Sequence, residues 1–488
     1  MNVIQSAISG IRWVAIARIT KQFLQFVTIL VLARILQPQD FGLLAVALMV
    51  IGFLNIFRDF GLAASIIQKK NVTQRLISSL FWISMFIGIA VAILLILIAK
   101  PVAKFFNTSE LIPILQVLAF NFVISSSSVI QQSLLEKDLK FEVIAKMDTV
   151  SALLGSISGI LCAVFGFGVW SLVCQAILTT LAFSILIWAN NVWKPSLIID
   201  LNEIRTVAKF SGNLFGFNFL NYLVRNSDYF LIQKYLGEKF LGYYNLAYRI
   251  MLYPLENISA VVSRVMFPYY SIIQDDNDGY RNSYLKITNS IALITFPMMF
   301  WLMSSSELFV LVLLSDKWSH LTILLLILAP VGLIQSIYSP AGVIYQSKGK
   351  TDWWFRWGLF SAVLTISAFI AGLNWGVVGV AISYLIITVL TFYPGLAIPF
   401  KLIELKVSDF MKSLSKTFMI SLGISIVVYG LNYVVIAYLG STYTLIISII
   451  VYLTLYLYVS FKLNREKMFV LLSVMNLPNI ISANIKKR

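Results

Sequence analysis

The chain has 488 residues, of which 59% are hydrophobic and only 12% are charged. A soluble domain carries about 25% charged residues, so this composition excludes a soluble protein and predicts one that spans a membrane. The formal net charge of +16 is a weak argument for nucleic-acid binding here, because membrane proteins place Lys and Arg in their cytoplasmic loops to set their orientation.

Apolar stretches fill the chain almost from end to end. A helix needs about 20 apolar residues to cross a hydrocarbon core of roughly 30 Å, and about fourteen stretches reach or approach this length. The turns that separate them are short, which leaves no room for a large soluble domain. The predicted spans are residues 12–36, 41–60, 77–99, 111–133, 148–166, 168–189, 211–235, 241–264, 286–312, 320–346, 354–374, 376–398, 417–439 and 442–461.

The basic residues predict the orientation of these spans. An even number of spans puts both termini on one side of the membrane, and the segments on that side hold most of the 37 Lys and Arg residues. The positive-inside rule therefore predicts that both termini are cytoplasmic. The opposite side holds only Arg34, Lys100, Lys104, Lys234, Lys239 and Lys317.

A weak internal repeat divides the spans into two blocks of six. At an offset of 200 residues, Gly42 aligns with Gly242 and Arg34 aligns with Lys234, in the turn between the first two spans of each block. Because six is even, the blocks have the same orientation and are related by an axis along the membrane normal. We predict an all-α polytopic membrane protein with about fourteen transmembrane helices, built as two six-helix lobes around a central cavity plus two C-terminal helices. The predicted domains are residues 1–210, residues 211–400, and residues 401–488 with a basic cytoplasmic tail.

Five basic side chains fall inside predicted spans, where a charge costs at least roughly 2.5–3.5 kcal/mol unless it faces water or a partner. We interpret them as substrate-binding residues of a water-filled cavity that accepts an anionic or heavily hydroxylated molecule. Arg18 is close enough to the cytoplasmic end to reach the lipid headgroups instead, and a gating or structural role is equally open for Arg58. The five residues are Arg18, Lys21, Arg58, Arg225 and Arg249.

Acidic side chains in the same spans are the candidates for ion coupling. Asp228 follows Arg225 by one helical turn, and Glu256 follows Arg249 by two turns. Asp148 is predicted at the start of the fifth helix, where the helix dipole favours a carboxylate. The eighth span is also rich in tyrosines, which either stack on sugar rings or form an interfacial aromatic belt: Tyr243, Tyr244, Tyr248 and Tyr253.

The residue types that metal and nucleophilic chemistry need are scarce. The chain has one histidine, His320, and two cysteines, Cys162 and Cys174, which lie in apolar spans without metal-ligand spacing. We expect two buried free thiols, no metal and no cofactor. The sequence also lacks a P-loop of the form GxxxxGK[ST] and the HExxH and GxSxG motifs. The protein is therefore predicted not to be an enzyme.

Two segments resemble a known family. Residues 32–47, LARILQPQDFGLLAVA, and residues 56–70, IFRDFGLAASIIQKK, are similar to the polysaccharide-exporter branch of the multidrug/oligosaccharidyl-lipid/polysaccharide (MOP) flippase superfamily, in particular to Wzx-type exporters of the colanic acid kind. The resemblance covers essentially the whole chain and implies the two-lobe fold with two extra helices. It also implies that the protein moves undecaprenyl-diphosphate-linked oligosaccharide repeat units across a bacterial inner membrane by alternating access, for exopolysaccharide or lipopolysaccharide biosynthesis.

The resemblance further implies a basic cavity that suits a diphosphate or an acidic sugar. The expected partners are the lipid-linked oligosaccharide, membrane lipids and other polysaccharide-assembly proteins such as a polymerase, and no nucleic acid. Two other functions stay open. A multidrug or cation antiporter of the same superfamily would have a more acidic cavity. A membrane polysaccharide polymerase would need a sizeable periplasmic loop, whereas the predicted external loops are short.

Overall fold

The computed structural model describes residues 20–58, 73–138, 140–190, 193–198, 200, 222–223 and 225–468, without the side chains of residues 256–265 and 268. The chain divides into two compact units, Met1–Gly242 and Tyr243–Arg488. Within the described ranges every regular element is a helix. A helix suits these apolar stretches because it satisfies each backbone N–H and C=O inside its own segment, which lipid requires.

Short turns join several consecutive helices of the first unit, such as Phe106 to Leu111 and Val164 to Val169. Thr73 caps one of the helices, since its Oγ1 accepts a hydrogen bond from the backbone N of Leu76 at 3.2 Å. The helices are α1 (residues 20–35), α2 (Pro38–Arg58), α3 (Gln74–Phe106), α4 (Leu111–Lys137), α5 (Phe141–Val164), α6 (Val169–Asn190), α7 (Ser227–Leu236) and α8 (Glu238–Ile272), which continues into the second unit.

The second unit is built in the same way. Asp276 caps its first complete helix, because its Oδ1 accepts from the backbone N of Gly279 at 2.9 Å. The helices are α9 (Asn277–Phe309), which continues as a π-helical turn to Leu314, α10 (His320–Tyr338), α11 (Ala341–Ser347), α12 (Thr351–Gly372), α13 (Gly376–Phe400) and α14 (Val407–Leu463).

Nine helical stretches in the described part of the chain are long and apolar enough to cross a membrane. Four of the nine contain a break or a kink, including Asn277–Leu314 at Ser305 and His320–Ser347 between Tyr338 and Ala341. Thr351–Ile403 turns at Leu373–Trp375, and Val407–Leu463 turns at Gly440, whose φ of 74° is left-handed. The predicted all-helical, multi-pass membrane protein is therefore confirmed. The count of fourteen spans and the division into lobes remain predictions.

Two predicted boundaries differ from the structure. The predicted span 77–99 is too short, because α3 runs through Pro101 to Phe106 and is capped by Asn107, which adopts a left-handed φ of 55°. Helix α5 begins at Phe141, so Asp148 lies about two turns inside it. The prediction that Asp148 occupies the positive end of the helix dipole was wrong. The polar residues of the first turns hid the true start of the helix.

Close contacts between helices in the first unit depend on glycine. A Cβ placed on Gly159 of α5 would lie 2.9 Å from the Cβ of Gln175 on α6, and one on Gly155 would lie 1.8 Å from Thr179 Oγ1. Small residues four apart allow two helices to approach this closely in a membrane. The spacing shows that α5 and α6 form a tight antiparallel hairpin.

In the second unit, α14 is attached to α9 by hydrogen bonds across their interface. Ser425 Oγ donates to the Phe300 carbonyl at 2.8 Å, and the Tyr456 hydroxyl donates to the Leu293 carbonyl at 2.8 Å. Such polar contacts stabilise helix packing in lipid, where apolar surface alone provides little driving force. The last long helix is thus a firmly bound part of this unit.

Candidate functional site

The structure places the predicted site residues on several helices. Lys21 lies on α1, Arg58 ends α2, and Asp228 lies in the first turn of α7. Arg225 lies just before α7, and Arg249 is exposed on α8. Two of the predictions fall outside the described residues: all of Arg18, and the side chain of Glu256.

Lys21 is held by an ion pair with Asp148. Its Nζ lies 2.7 Å from both carboxylate oxygens, which joins α1 to α5. The side chains of Lys21 and Asp148 keep 26% and 41% of their accessible surface, so the pair is only partly buried. A carboxylate at this distance lowers the cost of an ammonium group within an apolar helix. The pairing was not predicted from the sequence, because the two residues are 127 positions apart.

Arg58 contacts a run of serines on α4. Its Nη1 donates to Ser125 Oγ at 2.6 Å, and Ser125 Oγ in turn donates to the carbonyl of Phe122 at 3.3 Å. Arg58 also lies in the last turn of α2, where the helix dipole stabilises a positive charge. Ser125 was missed in the sequence analysis, although four consecutive serines at 125–128 within an apolar helix are an unusual polar signal.

Arg225 and Asp228 differ in their surroundings. Asp228 is buried, with 4% of its surface exposed, and its Oδ1 accepts a hydrogen bond from the backbone N of Tyr229 at 2.8 Å. The carboxylate occupies the first turn of α7, where the dipole favours negative charge. Arg225, by contrast, is exposed.

The second unit contains a chain of hydroxyl groups that the sequence indicated only in part. The hydroxyls of Tyr248 on α8 and Tyr384 on α13 lie 3.4 Å apart. Gln335 Nε2 on α10 donates to the Tyr384 hydroxyl at 2.6 Å. Tyr248 belongs to the predicted tyrosine group, whereas Tyr384 and Gln335 were not predicted. A single polar residue in an apolar span gives little indication of where it points.

Another tyrosine of the predicted group has a structural contact. Tyr243 stacks on His320 with ring centroids 5.4 Å apart, and its hydroxyl donates to the Lys317 carbonyl at 3.0 Å. These contacts join the start of α8 to the turn before α10.

The side chains described above are suited to binding phosphate and sugar groups. Ammonium and guanidinium groups form charge-assisted hydrogen bonds with phosphate oxygens, and a guanidinium can do so with two parallel bonds. Tyrosine and glutamine supply both donors and acceptors for sugar hydroxyls. Among the described residues, no group of three or more His, Cys, Asp or Glu side chains is arranged to hold a metal ion.

Comparison with known proteins identifies the family. Residues 31–323 match a family described as "Polysaccharide biosynthesis protein". The chain is also 30% identical over 397 residues to the lipopolysaccharide biosynthesis protein WzxC of Escherichia coli (strain K12), with 80% of each chain covered. The chain belongs to this polysaccharide biosynthesis family. The resemblance to Wzx-type exporters of the MOP superfamily, predicted from residues 32–47 and 56–70, is thereby confirmed.

Other members and structures agree with the assignment to the polysaccharide biosynthesis family. The teichuronic acid biosynthesis protein TuaB of Bacillus subtilis (strain 168) is 29% identical over 437 residues, covering 88% of this chain and 90% of TuaB. The structure of the lipid II flippase MurJ in an inward closed conformation matches with a TM-score of 0.71 at 16% identity, covering 93% of this chain and 99% of MurJ. At that identity the match establishes the fold alone.

Proposed function

We propose that this member of the polysaccharide biosynthesis family is a flippase for undecaprenyl-diphosphate-linked oligosaccharide repeat units. It moves them from the cytoplasmic to the periplasmic leaflet of a bacterial inner membrane, for exopolysaccharide or lipopolysaccharide biosynthesis. The observation that carries the proposal is the set of cationic side chains held on the apolar helices of a chain from this family. The named roles of WzxC and TuaB in lipopolysaccharide and teichuronic acid biosynthesis support the substrate class.

The proposed architecture has about fourteen spans with both termini in the cytoplasm. Residues 1–210 and 211–400 form two lobes around a central cavity, and residues 401–488 add two helices and a basic tail. The excess of Lys and Arg on one side of the predicted spans supports this orientation. Alternating access of the cavity to the two leaflets then moves the headgroup, while the lipid chain stays in the bilayer.

In this proposal the basic side chains bind the diphosphate. Lys21 has a carboxylate partner that a phosphate oxygen can replace, since both are anionic acceptors for the same ammonium. Arg58 and Arg225 contribute guanidinium groups, and Arg18 and Arg249 extend the basic surface. Asp228 and Glu256 are assigned to ion coupling, and burial of the Asp228 carboxylate supports this role, because protonation of a buried carboxylate removes a large desolvation cost.

A cation or drug antiporter is the second candidate for a chain of this superfamily. An antiporter needs an acidic binding surface, and the predominance of basic side chains in the predicted spans weighs against it. A polymerase is disfavoured because the described external turns, such as Gln37 before α2 and Leu373–Trp375, are short. We expect polymerase and other assembly proteins to be partners in the pathway.

The test uses a strain that lacks its own flippase and is complemented with this chain. Lys21→Ala or Arg225→Ala should abolish polymer production while the amount of protein in the membrane stays unchanged. Lys104→Ala is the matched control, because it removes an exposed basic residue at the end of α3, outside the predicted cavity. Normal polymer in both cavity variants would overturn the assignment of these residues. Increased resistance to cationic drugs without polymer would favour the antiporter.

A further inference from the structure

A segment between α6 and α7 lies against the start of α3. We call residues 193–198 and 200 the strap, and these residues contain no helix. Trp193 Nε1 donates to Gln74 Oε1 at 2.6 Å, and Gln74 Nε2 donates to the Lys194 carbonyl at 2.9 Å. One glutamine side chain of α3 therefore binds two successive residues of the strap.

The same contact continues one and two turns further along α3. Trp82 Nε1 donates to the Ser196 carbonyl at 2.9 Å, and the hydroxyls of Ser78 and Ser196 lie 2.9 Å apart. The backbone N of Ser196 also donates to Ser78 Oγ at 3.1 Å. Gln74, Ser78 and Trp82 are spaced by four residues, so they lie on one face of α3. The strap runs along that face.

Further contacts bury parts of the strap and of the helices beneath it. Ser79 is fully buried, and its Oγ accepts a hydrogen bond from the backbone N of Asp200 at 2.8 Å. Trp193 packs edge-on against Phe81, with ring centroids 6.0 Å apart, and its carbonyl accepts from Gln131 Nε2 of α4 at 3.2 Å. Undocking would break these bonds together and expose part of the Phe81 ring, so the contacts favour a strap that stays docked.

The strap lies in a connection whose length matters for the proposed function. Helix α6 ends at Asn190 and α7 begins at Ser227. In the proposed architecture this is the link between the lobes 1–210 and 211–400, on the cytoplasmic side, and the inference rests on the proposed function through that architecture. A free chain extends by about 3.3–3.6 Å per residue, so docking of the strap withholds roughly 25–30 Å from the reach of the link.

We propose that the strap is a tether that limits how far the two lobes separate on their cytoplasmic side. It stays docked on α3 while the cavity opens and closes, so that the chain after Asp200 alone spans the gap. A short link keeps one lobe at a high effective concentration for the other, which favours reclosure. Lengthening the free part of the link should therefore widen the cytoplasmic opening and slow transport.

The test places the same insertion on either side of the strap. About eight Gly and Ser residues, a flexible coil with an r.m.s. length of about 15 Å, are inserted after Asp200 or, as the matched control, after Asn190. Insertion after Asp200 should lower polymer production several-fold at unchanged membrane abundance. Insertion after Asn190 should leave polymer production normal, because the docked strap absorbs the extra residues. Equal polymer production by the two variants would overturn the proposal.

A distance measurement separates the tether from flippase activity. Spin labels are attached at Asp138→Cys and Lys350→Cys, two exposed positions, one in each proposed lobe. The two native cysteines, which are free but only partly buried rather than buried as predicted, are replaced by serine. Pulsed electron paramagnetic resonance should give longer and broader distances for the insertion after Asp200 than for the insertion after Asn190.

Identical distance distributions for the two insertions would also overturn the proposal. If the unmodified chain makes no polymer in the complemented strain, that result counts against the proposed function, and the distances alone decide whether the strap acts as a tether.

Discussion

Gly42 and Gly242 hold the first turns of α2 and α8 in a reciprocal backbone contact. A Cβ on Gly42 would lie 1.8 Å from the carbonyl oxygen of Glu238, and a Cβ on Gly242 would lie 1.8 Å from that of Pro38. Gly42 and Gly242 are 200 positions apart, and so are their contact partners Pro38 and Glu238. This is the offset of the internal repeat. Only glycine permits this approach, so the contact gives a physical reason for the repeated glycine.

Alanine at either position should therefore force the two turns apart. We expect Gly42→Ala and Gly242→Ala each to lower stability by about 1–3 kcal/mol, the usual cost of overpacking a close contact. The midpoint of thermal unfolding in detergent measures this change. Gly423→Ala on α14 is the control, because a Cβ there meets open space. Equal unfolding midpoints for the native chain and both variants would show that the turns do not touch.

Exchanging the charges of Lys21 and Asp148 distinguishes a structural role of their ion pair from a role of Lys21 in substrate binding. Removal of one partner should cost about 1 kcal/mol in stability, a small value because the carboxylate is more than one-third exposed. The double variant Lys21→Asp with Asp148→Lys restores the pair and should recover the unfolding midpoint. It should not recover polymer production, because the cation now lies on α5. Full recovery of polymer would show that the pair acts only in folding.

The sequence predicted an all-helical, multi-pass membrane protein because the signal of an apolar helix is local. A run of apolar residues such as 80–99 is visible without knowing what lies beside it. The partners of charged residues depend on helix packing, which no local pattern reveals, so neither Asp148 beside Lys21 nor Ser125 beside Arg58 was predicted. The start of α5 was also missed, because Glu142 and Lys146 look like loop residues, although they form an i,i+4 ion pair at 2.7 Å within the helix.

The hydroxyl chain of the second unit is testable at Tyr384. Tyr384→Phe keeps the ring but removes the hydrogen bond from Gln335 Nε2, which leaves a polar amide in an apolar setting at a cost of about 1 kcal/mol. If these hydroxyls bind sugars, the amount of polymer should also fall while the amount of the protein in the membrane stays constant. Tyr393→Phe, an exposed tyrosine on the same helix, should change neither quantity. Unchanged stability and polymer in Tyr384→Phe would contradict the proposed contact and its role.

The attachment of α14 to α9 gives the last prediction. Ser448 is fully buried, shares a hydrogen bond of 2.8 Å with Ser305, and accepts one from Trp301 Nε1 at 3.2 Å. Ser448→Ala leaves both partners without this oxygen and should cost about 0.6–1.7 kcal/mol, the range measured for polar contacts between membrane helices. Thr454→Ala is the control, because this exposed residue bonds only to its own helix.

The two readouts of the Ser448 variant should diverge. Its unfolding midpoint should fall, whereas polymer per molecule of membrane protein should stay normal, because the proposed cavity is formed by residues 1–400 and Ser448 lies beyond them. Loss of polymer at normal abundance would mean that the last two helices take part in transport. The predicted separation of a two-lobe core from a C-terminal addition would then be wrong.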